Sequence, residues 1–427
     1  MYTPIKTTQS LSKTNDLATE VSPRVRGLFL KNLGDFQTEL ARIQAGFVPA
    51  MAVWGHRKEM PLLVFRTLRR IQDLRIRSRE LGTSFQDMHF SAAVAGREVL
   101  DAVCASRGPA DLLGAGMVAV HQVLADAIDG YLKRNEGIYD LPSVSLLEAS
   151  RDELKAQARW AGEALAEIAA QTGQTPDEAL VLRVKALCAD LPETLQSHAN
   201  RGLSALREGR RIGTLPLMES VRPAGFRDLE MGPEPAGPEE PYARRARYIA
   251  VNFLQEVQAA DSCASLLFEA PDMPWDFYFD LGRHMWDESR HATFGERKLA
   301  DLGETAPAAG LSGMAYAMRQ TLAPSDRYAA LATQEADAFP GKHAGLKEAV
   351  AHGDAVAAMM WSYDIADETQ HVRFGNKWIP VMLEKIREPR SFEQVKEDAC
   401  TWRATVLAEA YRPAALTTSR PEAGGKP

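Results

Sequence analysis

The chain has 427 residues, 45% of them apolar and 25% charged, with a net charge of −7. These values are ordinary for a soluble globular protein and allow two or more domains. The sequence pI near 5.8 argues against general nucleic-acid binding. No apolar run approaches the ~18 residues a membrane span needs, and Met1-Tyr2-Thr3-Pro4-Ile5-Lys6 lacks a secretory core. Four scattered cysteines, Cys104, Cys188, Cys263 and Cys400, form no disulfide or metal pattern. A cytoplasmic protein with no membrane partner is expected.

Helical periodicity dominates the chain and strand-like alternation is nearly absent, so the fold class is all-α. Residues 56–79 form a basic helix with eight Lys/Arg and two acids. It suits an acidic carrier protein, a phosphate or nucleic acid, or is simply a solvated face. Amphipathic helices are predicted over 86–106, 111–134, 146–171 and 176–208. Ser145 and Glu148 form a capping box for the third, and Thr175-Pro176-Asp177-Glu178 starts the fourth. His89 and His121 lack partners at metal spacing and read as structural. Six prolines (216, 223, 233, 235, 238 and 241) mark 212–241 as a linker or surface strap. It separates an N-terminal helical domain, 1–211, from a helical bundle over 242–386.

Four bundle helices are predicted: 241–268, from Pro274 to before Gly303, from Ser325 to before Pro340, and from Asp354 to about 384. Ser391 and Gln394 make a capping box for a C-terminal helix within 387–414. Residues 415–427 read as a disordered tail.

The second half repeats one pattern. Glu256 precedes Glu288-x-x-His291 by 32 residues, and Glu335 precedes Glu368-x-x-His371 by 33. Residues i and i+3 share a helix face, so each Glu and His of a motif can reach one metal. A gap of this length suits an antiparallel hairpin: about 14 residues out and back, at about 1.5 Å each, cover about 20 Å. The ligand offsets between copies are 79, 80 and 80 residues, so a pseudo-twofold dinuclear site is expected. Glu288 and Glu368 would bridge, Glu256 and His291 would complete one metal, and Glu335 and His371 the other. Oxygen and nitrogen donors without thiolate suit iron or manganese, and four carboxylates offset two divalent charges. Asp261 is a weaker substitute for Glu256, being off its face.

An aspartate precedes each motif, in Asp287-Glu288-Ser289-Arg290-His291 and Asp367-Glu368-Thr369-Gln370-His371. Asp287 and Asp367 are candidates to accept the free ring N–H of a ligand histidine, each reaching the opposite helix. Arg290 joins them. His284 and Asp364 each lie four residues before the motif glutamate and are expected to line a pocket, pair together or add a ligand. Phe253, Cys263, Tyr328 and Tyr363 are further pocket candidates.

These motifs resemble the ferritin-like dinuclear-carboxylate superfamily over about residues 245–385. Asp287-Glu288-Ser289-Arg290-His291 is similar to its oxygen-activating members. Gly353-Asp354 with Asp367-Glu368-Thr369-Gln370-His371-Val372-Arg373-Phe374-Gly375-Asn376-Lys377-Trp378 resembles a poorly characterised group of bacterial ferritin-like proteins. The resemblance implies a ferritin-like four-helix bundle, six ligand roles for Glu256, Glu288, His291, Glu335, Glu368 and His371, and dioxygen activation. The expected cofactor is two Fe ions, or Mn/Fe, with dioxygen as cosubstrate.

The expected function is a dinuclear iron oxygenase or oxidase acting on a small organic substrate by hydroxylation, N-oxygenation, desaturation or oxidative cleavage. The alternatives are a ferroxidase or iron-handling protein and a scaffold stapled by metal. No Gly-rich dinucleotide fingerprint appears, so reducing equivalents are expected from an external electron-donor protein or from the substrate itself. A homodimer is the commonest oligomer of such a chain.

Overall fold

The computed structural model describes residues 22–83, 96–134, 137–196, 220–229, 240–270 and 273–410. Among them the regular elements are helical, apart from one isolated parallel bridge between Asp228 and Leu311. The protein is all-α. It divides into two compact units, 1–224 with 263–286, and 225–262 with 287–427.

In the first unit, α1 (Pro23–Gly46) and α2 (Trp54–Glu80) pack along one another. Pro23 opens α1, where its missing N–H costs nothing. Phe29, Leu30, Leu33, Phe36, Leu40 and Ile43 then recur at helical spacing and are buried. The sequence reading contained no helix there. α3 (Arg97–Cys104) follows, and a π-helical segment, Leu112–Ala119, runs into α4 (Val120–Arg134). The stretch Pro109–Arg134 is long and apolar enough to cross a membrane, contrary to the run-based expectation. Most of it is buried in the protein interior.

α5 (Leu141–Thr172) starts five residues before the predicted helix. Asp140 accepts the Ser143 N–H and Pro142 sits in the first turn, so the cap falls ahead of Ser145. Asp177 caps α6 (Glu178–Leu187) through the N–H groups of Ala179 and Leu180. The single helix predicted over 176–208 breaks after Leu187, and α7 (Leu191–Gln196) restarts with Pro192 in its first turn. Proline disfavours helical conformation in the preceding residue and lacks the donor an unbroken helix needs. Predicted helical residues 86–95 and 197–208, His89, and the tail 415–427 lie outside the described residues.

The basic stretch is not a uniform solvated face. Arg57 is buried against the Val221 carbonyl and the Ser220 hydroxyl. Arg75 is buried over the Trp275 ring. Residues 220–224 run alongside 49–52 through Val221 N–H to Pro49 O and Ala224 N–H to Ala52 O.

Residues 263–286 belong to this first unit, although the sequence reading put them in the bundle. Buried Arg42 explains the difference. Its guanidinium donates to the carbonyls of Leu267 (3.0 Å), Phe268 (3.0 Å) and Ala270 (3.3 Å), and to Glu39 (2.9 Å). Those carbonyls end a helix and have no partner within it. Gly46 reinforces the contact, because a Cβ there would meet the Phe268 ring at 2.5 Å.

α8 (Pro241–Leu254), in the second unit, and α9 (Val257–Glu269), which belongs to the second unit only as far as Ser262, replace the single helix predicted over 241–268. Gln255 holds the break. Its side chain donates to the Val251 and Gly310 carbonyls and accepts the Ser312 N–H. α10 (Trp275–Asp301), α11 (Met314–Gln320), α12 (Pro324–Ala351), α13 (Ala355–Ile386) and α14 (Phe392–Ala410) complete the chain order. α12 does not stop at Pro340. It packs along α13, and that packing outweighs the one hydrogen bond the proline removes. Ser391 and Gln394 form the reciprocal capping box at the start of α14.

Candidate metal centre

Glu256 stands at the break between α8 and α9, Glu288 and His291 on α10, Glu335 on α12, and Glu368 and His371 on α13. A glycine follows each motif histidine by four residues, at Gly295 and Gly375. A Cβ on Gly295 would meet the Ala250 carbonyl oxygen and the Leu254 nitrogen, both at 2.5 Å. One on Gly375 would meet the Ala332 Cβ at 2.5 Å. Each motif helix therefore closes on the helix that carries or leads to its upstream glutamate, α10 on α8 and α13 on α12. The sequence reading missed this repeat, which shares the 80-residue offset of the motifs.

The six side chains converge. Glu288, His291, Glu335, Glu368 and His371 are buried, and Glu256 is partly exposed. His291 Nδ1 lies 3.1 Å from Glu256 Oε2, 3.5 Å from Glu288 Oε2 and 3.7 Å from Asp364 Oδ1. His371 Nδ1 lies 3.3 Å from Glu288 Oε1. Glu288 thus presents one oxygen to each ring. Glu256, His291, Asp364 and Glu368 each bring one donor atom within 4.8 Å of the others, and so do Glu288, Glu335 and His371.

The outer ring nitrogens are held across the helices. His291 Nε2 is 3.3 Å from Asp367 Oδ2, and His371 Nε2 is 3.4 Å from Asp287 Oδ2. Arg290 joins the two aspartates, donating to Asp287 at 2.8 Å and also to Asp367. This crossed arrangement leaves both Nδ1 atoms facing the carboxylates. Burial lowers the affinity of His291 for a proton, but Asp367, Glu256 and Glu288 outweigh it and raise its pKa well above the usual imidazole value.

Lys342 was not anticipated. It lies on α12 two turns past Glu335 and beyond Pro340. Its buried ammonium donates to Asp364 Oδ1 at 2.8 Å and Glu368 Oε1 at 2.9 Å. Burial disfavours the charge, yet Glu256, Glu368 and Asp364 hold the lysine pKa above its usual value. Burial and Glu256 push the Asp364 carboxyl up to about 8, against the pull of Lys342.

These residues fit a cation pair. Asp364 Oδ2 and Glu368 Oε2 are buried with no hydrogen bond, an arrangement that costs energy unless a cation or proton is present. The carboxylates of the cluster outnumber its one ammonium, and divalent cations would supply balancing positive charge. The donors are oxygen and imidazole nitrogen, as iron or manganese prefer.

The remaining sequence candidates fall in different places. Phe253 sets its ring edge-to-face with His291, centroids 6.5 Å apart, and also against Trp361. His284 is buried one turn before Glu288 on the same helix, and Tyr328 is buried two turns before Glu335. Asp364 pairs with Lys342. Cys263 is buried within α9, and Asp261 is buried one turn past the break. Tyr363 is 61% exposed and is not a pocket residue. Five residues before Glu368 is 500° of helix, well off the ligand face. Comparison with known proteins returned no matching family model, no matching curated protein and no matching solved structure.

Proposed function

We propose that the chain is a non-haem dinuclear iron oxidoreductase that uses dioxygen to oxidise a small organic substrate, built on a ferritin-like four-helix bundle. The bundle would comprise α8 with α9, α10, α12 and α13. The carrying observation is the doubled set of Glu and Glu-x-x-His side chains around one buried cluster, with an aspartate behind each imidazole. Glu288 faces both rings and is suited to span two metals, with Glu368 as its counterpart. Glu256 and His291 would complete one position, and Glu335 and His371 the other. Iron held there would supply the electrons for reducing dioxygen.

The protein's own groups prepare that chemistry. Asp287 and Asp367 fix ring orientation, so Nδ1 is the available donor on each histidine. Burial of the ligands keeps bulk water away and strengthens their charges. Lys342 holds a proton and a positive charge beside Glu368 and Asp364.

Oxygen uptake tests the reading. Metal-free protein loaded anaerobically with Fe(II) and then exposed to air should consume oxygen while retaining two irons per chain. Iron accumulating far beyond two per chain would indicate an iron-handling protein instead. Tight metal with no oxygen uptake would indicate a scaffold.

A further inference from the structure

The two copies of the ligand pattern are not equal in charge. Seven residues after the upstream glutamate stands Cys263 in the first copy and Lys342 in the second. The lysine is 7% exposed, and its ammonium bonds Asp364 and Glu368 at 2.8 and 2.9 Å. Both carboxylates belong to the group formed with Glu256 and His291. The same two carboxylates each keep a second buried oxygen without a hydrogen bond.

An ammonium at hydrogen-bond distance from two carboxylates occupies their charge as a metal would. A divalent cation entering beside it must break a buried, charge-assisted hydrogen bond and meet like charge at close range. We propose that Lys342 is a resident cation that makes the two halves of the centre load metal unequally. The half around Glu288, Glu335 and His371 fills first. The half around Glu256, His291 and Glu368 fills second, after the ammonium releases Glu368. Asp364 stays paired to Lys342 and keeps the displaced charge inside the protein.

This rests on the metal reading but not on dioxygen chemistry, so the test is binding alone. Metal-free wild-type protein and Lys342→Met are titrated anaerobically with Co(II), with absorption and metal content as readouts. Wild type should show two classes of site differing in Kd by about tenfold or more. Lys342→Met keeps a similar length without the charge, and should tighten the second site by about tenfold while changing the first little. Lys342→Arg should retain unequal loading. Without metal, Lys342→Met leaves two buried carboxylates uncompensated, so Co(II) should raise its melting temperature more than that of wild type.

Two equal sites in wild type would overturn the proposal whatever the variants do. A second site in Lys342→Met that is unchanged or weaker would also overturn it. Binding of no metal by any of these proteins would overturn it together with the metal reading. Two bound metals without oxygen uptake would leave it standing and refute only the oxidase.

Discussion

Glu288 touches both imidazoles and His371 anchors the second motif, so these two residues carry the sharpest expectations. Glu288→Ala and His371→Ala should each lose bound metal, read as metal per chain after dialysis. Full retention of two metals in either variant would refute its ligand role. Asp367→Asn keeps the shape but weakens the acceptor behind His291, and should lower metal affinity by about 10- to 100-fold against a competing chelator. Affinity equal to wild type would mean that ring orientation is set elsewhere. The clustering of these carboxylates and imidazoles was legible because i, i+3 spacing puts one of each on one helix face twice over. The crossed aspartates were legible as candidates because they repeat at the same offset. Lys342 was not, because it repeats nothing and lies beyond a proline where a helix is expected to end. Tyr363 lies near Glu368 along the chain but about 140° away around the helix, which puts it on the exposed face.

Among the elements, two glycines let the ligand helices close. Gly295→Ala would push a methyl against the α8 backbone, which cannot rotate away. It should destabilise the protein by about 1–3 kcal/mol or more in urea unfolding and reduce metal retention. Gly375→Ala should do likewise, less severely, since its nearest neighbour is the Ala332 side chain. Gly162→Ala, inside α5 with open space around its Cα, is the control and should be stabilising by about 0.5–1 kcal/mol. If all three behave alike, helix closure is not what the first two provide. Arg42→Ala should cost about 3–5 kcal/mol, because Glu39 and three carbonyls at the end of α9 lose their buried donor. Helix type was legible from periodicity at nearly every described element. Boundaries were not, because tertiary contacts set them: the Gln255 anchor splits a helix that periodicity joins, and packing on α13 carries α12 through Pro340. The assignment of 263–286 depended on Arg42, a residue more than 220 positions away whose role no local pattern reveals.

At the scale of the whole molecule, acid should weaken the protein through the first unit. Burial pushes the His121 imidazole down to about 3, with Gln44 as its neighbour at 3.0 Å. The unfolded chain then binds a proton that the folded chain refuses between about pH 6.5 and pH 3. Stability should fall with falling pH across that window, by up to about 1.4 kcal/mol per pH unit from this residue. Urea unfolding at pH 7, 6, 5 and 4 should show a shallower dependence for His121→Gln than for wild type. Equal slopes would mean that His121 is not held neutral. The all-α class was legible from composition and period together, whereas the division into units was not, because it follows contacts between distant segments. The central claim is a buried centre for two metals, and iron content tests it most directly. Protein loaded anaerobically with Fe(II) and freed of excess iron should hold two irons per chain, magnetically coupled in its Mössbauer spectrum after oxidation. One isolated iron per chain, or an equal iron content in Glu288→Ala and wild type, would contradict it.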